Sequence, residues 1–518
     1  VSSSGGAAPV HGQADGAPPD PETPARAGHD EQAGAAAALP GTETAAPSLF
    51  GRGLLYVAIW AVQLAAAVVV FPVLAHLVPG AEFGRLSSAI ALSQVLVVLS
   101  LMGLDQALVV LRAQTGNDRG ARSLVALGVG LAALVSVVAA ITSGLWSGLL
   151  GFSGAQGVVL VALAWTLPAA GVLLSSAQLL SQDRLKAFSL VNVAYGVGGP
   201  VTGMALLVLT DSRTAVTYAL GHLGALVVTL LLALALVRPT WRGSADVPLA
   251  GRALRMGLPL MVSSLAVYVL NAGDRLVIQS VLGATEVGRY QIAYNVGNVA
   301  ILLLGLASAA WAPQISAVRD EAQRWALIAR SRDALFRLMV PVVLGMTLGA
   351  PLALTIAAPE SFRPDELVLV AFLVAAAGFP VLVGNASARE LIVRERTRSL
   401  AVAAIVAAVV NVGLNVLLLP LWGLPGAAAA TIVAFCVQTL LHRLSLPGHV
   451  VWPGVPRRLL AAGGLALAVS AGSLSLPQDT AWDLGRFAVA LACLPWFLRE
   501  LRLARAGDGP TAAPTQPV

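Results

Sequence analysis

Apolar residues fill fourteen long stretches of this chain. They lie at 53–78, 86–111, 123–146, 156–181, 187–210, 214–237, 254–282, 287–315, 336–357, 367–392, 399–419, 424–446, 458–476 and 482–500. Most exceed the ~20 residues that a helix needs to cross the hydrocarbon of a bilayer. In lipid, backbone groups must be satisfied within the segment, so runs of this length predict spanning helices. The last two stretches are weaker than the twelve before them. The pattern predicts an all-α polytopic membrane protein of about 14 transmembrane helices.

The turns between these stretches alternate in charge. Those that follow even-numbered spans, with their flanks, hold 21 of the 32 Lys and Arg residues. The opposite turns hold five: Arg85, Arg213, Arg289, Arg363 and Arg486. The positive-inside rule then places the arginine-rich turns and both termini in the cytoplasm of a multi-pass bacterial plasma (inner) membrane protein. The net charge of +6 reflects basic turns lying against an anionic leaflet and calls for no nucleic-acid partner.

Composition agrees, at 57% hydrophobic and 11% charged residues. Residues 1–48 are rich in Ala, Gly, Pro, Thr, Asp and Glu, with few large apolar side chains, and predict a disordered cytoplasmic tail. A second short tail is expected at 506–518. The two cysteines, Cys436 and Cys493, both fall in apolar spans, which suggests neither a disulfide framework nor a metal site. The lone lysine, Lys186 in SQDRLKAF, does not follow the glycines of a Walker loop, so no ATPase is encoded. His-Glu-x-x-His and Gly-x-Ser-x-Gly elements are absent, and the turns are too short for an external catalytic domain. A transporter without cofactor, not an enzyme, is the expectation. The longest polar stretch, 316–335, reads as a cytoplasmic surface helix.

The spans are duplicated. GAEFGRLSSA at 80–89 and GATEVGRYQIA at 283–293 share Glu-x-Gly-Arg in a short external turn before a long span. Two parallel halves follow, at 49–240 (spans 1–6) and 250–447 (spans 7–12), with helices 13–14 appended at 455–502. Transporters built this way bind substrate near the midplane, between the repeats.

Polar residues inside the spans fall on faces. On span 2, Ser87, Gln94, Asp105 and Arg112 share one line at 100° per residue. Span 7 carries Ser264, Tyr268, Asn271, Arg275 and Gln279; span 8 carries Gln291, Asn295 and Asn298; span 1 carries Arg52, Tyr56 and Gln63. Single residues of this kind often only bond neighbouring helices. Stripes on the first two helices of both halves predict a water-accessible cavity. Asp274 and Arg275 are the deepest charges, about eight residues or ~12 Å from the outer end of span 7. Charges at that depth are paired or face water. As sequence neighbours they stand ~100° apart and need not bond each other. His76, His222 and His442 share no face and read as packed or interfacial side chains and not as a proton relay.

The stretch 257–299, GLPLMVSSLAVYVLNAGDRLVIQSVLGATEVGRYQIAYNVGNV, resembles helices 7 and 8 of the polysaccharide flippase family, within the multidrug/oligosaccharidyl-lipid/polysaccharide exporter superfamily. The matching residues are Gly257, Pro259, Asp274, Arg275, Val287, Gly288 and Tyr290. The stretches 77–108 and 411–435, the latter with Asn-x-x-x-Asn and Gly-x-x-Gly-Ala-Ala, resemble the same family. The resemblance implies two six-helix lobes in a V and export of a lipid-linked oligosaccharide. Its departure is the extra C-terminal hairpin, since many members stop at twelve helices.

The combined expectation is a flippase for undecaprenyl-diphosphate-linked oligosaccharide repeat units, working by alternating access for cell-surface polysaccharide biosynthesis. Arg275, with Arg52 or Arg112, would hold the diphosphate. Gln63, Gln94, Asn271, Gln279, Gln291, Asn295 and Asn298 would meet the sugar, and Asp105 or Asp274 would carry any coupling ion. Expected partners are the polyprenyl-diphosphate-linked oligosaccharide, membrane lipids, a polysaccharide polymerase and glycosyltransferases. The alternatives are a peptidoglycan-precursor flippase, a cation-coupled multidrug exporter and a non-transporting scaffold for glycosyltransferases. Span 1 lacks the acidic residue common in the drug exporters. The topology makes one prediction: alkaline phosphatase fused after Arg213 is active, and fused after Arg398 is inactive. The reverse pattern would invert the orientation.

Overall fold

The computed structural model describes residues 69–240, 247–448, 452–477 and 479–507 of the chain. The tail expected at 1–48 and the start of span 1, with Arg52 and Gln63, lie outside the described residues, as does 508–518. The arginine-rich side is called inner below.

Every described span is helical, and no strand occurs among the described residues. Span 1 ends in α1 (69–77), and span 2 is two helices, α2 (Gly80–Leu101) and α3 (Leu104–Thr115). Between them Met102 and Gly103 take positive φ of 48° and 69°, which interrupts the α-helix. Next come α4 (Asp118–Trp146) and α5 (Gln156–Ser181). Span 5 is α6 (Leu185–Val193), a π-turn at Ala194–Gly198, and α7 (Gly199–Thr210). The first six spans close with α8 (Ala215–Val237).

The next six are α9 (Val247–Val281), α10 (Ala284–Ala317), α11 (Glu321–Ala357), the pair α12 (Val368–Ala376) and α13 (Gly378–Val393), α14 (Thr397–Trp422) and α15 (Leu424–Leu444). The appended hairpin is α16 (Arg457–Ser473) and α17 (Thr480–Gly507), so the last helix continues into the segment expected as tail. Ten of the described helices are long and apolar enough to cross a membrane by length and composition. The protein is an all-α polytopic membrane protein.

Helix starts follow local chemistry. The Asn117 side chain accepts from the Gly120 amide at 2.9 Å, and Asp320 accepts from Gln323 at 2.8 Å, so each caps the helix that follows it. The Asp320 cap sets the start of α11 inside 316–335, so this stretch is not a separate surface helix. Most of it is the first turns of α11, which runs unbroken into span 9.

Among the first six spans, α5 packs on α4 and α8, and α7 packs on α8. Among the next six, α14 packs on α15 and α9, α10 on α11 and α13 on α15, while α16 and α17 lean on α11. The two groups meet where α2 crosses α9 and α10, and where α3 crosses α9. One apolar cluster crosses that junction near the outer side, with Leu74, Phe83 and Leu86 against Ile278, Val287 and Tyr290.

Inside the second group, a buried ionic knot ties α11 to α13. Glu390, fully buried, accepts from Arg324 Nε at 2.9 Å and Nη2 at 3.0 Å, from Trp325 Nε1 at 3.0 Å and from Arg394 Nε at 2.6 Å. Removing one member of such a cluster strands its partners. Glu390→Ala is therefore expected to cost about 3–5 kcal/mol, read as a lower midpoint of thermal unfolding in detergent, and Glu390→Asp less.

Candidate functional site

The site is built where α2, α9 and α10 cross, and glycine permits the crossing. A Cβ on Gly84 of α2 would overlap the Ala284 carbonyl at the start of α10. A Cβ on Gly288 would come within 2.6 Å of the Gly80 carbonyl. These two glycines are equivalent in the two repeats, so the external turns recognised in the sequence lie against each other. Towards the inner side, a Cβ on Gly103 would overlap the Gly257 carbonyl, and one on Gly257 would overlap the Met102 carbonyl. The helix break at Met102–Gly103 therefore has a use: it turns backbone towards backbone.

A cavity of about 220 Å³ lies between these two contacts. Ser87, Ile90, Ala91 and Gln94 line it from α2, Tyr268, Asn271, Ala272 and Arg275 from α9, Gln291 from α10 and Phe71 from α1. Its floor is a buried ion pair. Asp274 is 1% exposed and Arg275 5%. Arg275 Nη1 donates to Asp274 Oδ1 at 2.6 Å and to the Asn271 carbonyl at 2.8 Å, and Nε donates to Gln291 Oε1 at 3.0 Å. Tyr290, fully buried, donates its hydroxyl to Asp274 Oδ2 at 2.6 Å. The guanidinium lies over the Tyr294 ring, 3.9 Å from its centroid.

The site residues expected from sequence divide accordingly. Gln94, Asn271, Arg275 and Gln291 line the cavity together. Asp274 stands behind them, and it bonds its neighbour Arg275 directly, a pairing that helical spacing alone does not require. The long Arg275 side chain folds back past the ~100° between their Cα positions. Asn295 accepts from Gln291 Nε2 at 2.7 Å and extends the polar row, while its own Nδ2 is buried without a partner. Asn298 lies on α10 about one turn further on.

Two residues leave the stripe drawn on span 2. Asp105 and Arg112 lie on α3, beyond the break that resets the helical phase, and neither lines the cavity. Arg112 is held at the inner rim by Asp118 at 2.7 Å and by the Ser181 carbonyl. Gln279 likewise does not line the cavity. It accepts from Ser88 of α2 at 3.0 Å and donates to the Gly151 carbonyl at 2.9 Å, joining the two helix groups near the outer side. Arg52 and Gln63 lie outside the described residues.

Sequence reading missed Tyr290 and Tyr294 as functional side chains. Their spacing of four beside Gln291 and Asn295 was the available signal. His222 stacks on Trp165 with centroids 4.7 Å apart, and His442 approaches the Gly384 carbonyl at 3.3 Å, whereas His76, near the outer end of α1, is exposed and contacts the Pro72 carbonyl at 2.8 Å.

Comparison with known proteins follows this geometry. Residues 51–318 match the family described as polysaccharide biosynthesis protein. A probable low-salt glycan biosynthesis flippase, Agl15, of Haloferax volcanii is 27% identical over 195 residues, which cover 37% of this chain and 40% of that relative. The match thus spans less than half of the relative's length. Among solved structures, the lipid II flippase MurJ in an inward closed conformation superposes with a TM-score of 0.66 at 12% identity, over 88% of this chain and 99% of that one. An inward-facing multidrug resistance MATE family transporter of the MOP superfamily gives 0.55 at 17% identity, over 81% and 96%. At these identities the structures speak for a shared fold.

Two substitutions separate the cavity surface from its support. Tyr290→Phe removes a donor to a buried carboxylate and should lower stability by about 1.5–3 kcal/mol, seen in thermal unfolding. Gln94→Leu, which strands no buried partner, should leave the unfolding midpoint in place while transport falls about tenfold for one lost hydrogen bond of ~1.4 kcal/mol.

Proposed function

Because the chain belongs to the polysaccharide biosynthesis protein family, we propose that it is a flippase that moves an undecaprenyl-diphosphate-linked oligosaccharide repeat unit from the inner to the outer leaflet for surface polysaccharide assembly. The observation that carries this reading is a cavity lined by six polar side chains, set between two glycine crossings of the helix groups. Amides from Gln94, Asn271 and Gln291, with hydroxyls from Ser87 and Tyr268, suit the many hydroxyls of a sugar. Phe71 and Tyr268 add apolar surface for a pyranose face.

Arg275 meets the headgroup in a qualified way. Its charge is answered by Asp274, so a phosphate meets a paired guanidinium and not a free cation. Sugar recognition by the amides therefore complements diphosphate recognition. The cavity holds part of a headgroup, and separation of either crossing enlarges it. Parting at Gly84–Gly288, with release of the Gln279 bonds, opens the outer side; parting at Gly103–Gly257 opens the inner side. The two six-helix groups are the moving bodies, and the polyprenyl tail stays in lipid. With the inside negative, outward movement of an anion is favoured by ~2.3 kcal/mol per charge per 100 mV, so no nucleotide hydrolysis is required. Glycosyltransferases supply the substrate and a polymerase consumes it, at a plasma membrane with both termini cytoplasmic.

The test is deletion of the gene, with mass analysis of the lipid-linked oligosaccharides in the membrane. A complete repeat unit should accumulate while surface polymer is lost, and the Asn271→Leu variant, expressed at wild-type level, should fail to restore export. Accumulation of a peptidoglycan precursor would replace the substrate. Sensitivity to cationic dyes without accumulation would replace the reading by drug export.

A further inference from the structure

A second cavity, of about 710 Å³, lies far from the central one and shares no residue with it. It is a slot between α13, α15 and α16 on the inner half of the second helix group, with Phe379, Val383, Leu440, Leu460 and Gly464 among its walls. The slot exists because α16 packs on α11 and leaves its other flank uncovered. On α15 its walls run from Cys436 to Arg443, and on α16 from Leu460 to Leu467, about 10 Å in each case. That length is comparable with one leaflet's share, about 15 Å, of a hydrocarbon core about 30 Å thick. Leu440 and Leu460 are more than half exposed, so the slot opens towards lipid.

Its inner end is basic and uncompensated. Arg443 is exposed, lies 5.9 Å from the Trp452 ring and has no carboxylate partner among the described residues. Arg457 and Arg458 open α16, both exposed and likewise unpaired. Cations in the first turn of a helix are opposed by its dipole, so these two do not stabilise α16 by themselves. Arg332 is the contrast. It is 3% exposed, paired with Asp333 at 2.7 Å, and it donates to the Gly454 carbonyl at 2.8 Å, which fixes the 452–455 segment as a wall of the slot.

We propose that this slot is a binding site for an anionic phospholipid of the inner leaflet. One acyl chain lies between α15 and α16, and the phosphate sits at Arg443, with Arg457 and Arg458 flanking it. The bound lipid completes the packing of α16 against the second helix group. Trp452 stands at the level where aromatic rings mark the membrane interface. The site is independent of what the central cavity transports.

The purified full chain is titrated in mild detergent with phosphatidylglycerol and, separately, with phosphatidylcholine, and bound lipids are counted by native mass spectrometry. Wild type should hold one phosphatidylglycerol in preference to phosphatidylcholine. Arg443→Gln should weaken phosphatidylglycerol binding about fivefold, the effect of ~1 kcal/mol for one cation at the surface, and leave phosphatidylcholine unchanged. Gly464 has nothing within 4 Å of a built Cβ, so Gly464→Phe fills the slot without a backbone clash and should abolish the tight site. Unchanged unfolding midpoints in lipid-free detergent confirm that both variants are folded. Equal phosphatidylglycerol binding by all three proteins overturns the proposal. So does displacement of phosphatidylglycerol by a polyprenyl phosphate that Gly464→Phe also blocks, which would give the slot to the substrate's tail.

Discussion

Helices in hydrocarbon gain little by burying apolar surface against one another, because lipid is as apolar as leucine. Close backbone approach is what remains to hold them. Between the two helix groups that approach occurs at two helix crossings, Gly84 with Gly288 and Gly103 with Gly257, and at the Gly151 turn against Gln279. Everything else at the centre is arranged around them. The helix break at Met102–Gly103 aims backbone at the inner crossing, and the cavity occupies the length of α2 between the two. Contacts made by backbone on small residues hold tightly when closed and leave no long side chains to disentangle when they part.

The same solvent governs the charges. Asp274 and Arg275 would be costly at their depth if either stood alone. Tyr290, Gln291, Asn271 and the Tyr294 ring complete their coordination, so the ion pair is answered within the protein. Arg443, without a carboxylate partner among the described residues, lies at the inner end of the slot beside α16, where an anionic leaflet is a source of counter-charge.

The candidate site was legible in part. Stripes at helical spacing picked out Gln94, Asn271, Arg275 and Gln291, which line the cavity together, because each stripe lies within one uninterrupted helix. Asp105 and Arg112, drawn on the same line, lie on α3 beyond the break at Met102–Gly103, where Gly103 meets the backbone of Gly257, and fall outside the cavity lining. Gln279 was on the right face, but a neighbouring helix group took its hydrogen bonds before any ligand could.

The sequence by itself determined the class, the number and order of spans, the duplication and the side on which the arginines collect. Each of these follows from local hydrophobicity, from charge next to a span, or from repetition along the chain. The tertiary structure alone decided that the equivalent glycines of the two repeats touch, that Asp274 and Arg275 bond each other under two tyrosines, and which polar residues face open space. Those outcomes depend on which helix lies beside which. In a membrane nearly every spanning sequence is apolar, so apolarity does not choose among partners; small residues and buried hydrogen bonds do, and they act only once the helices have met.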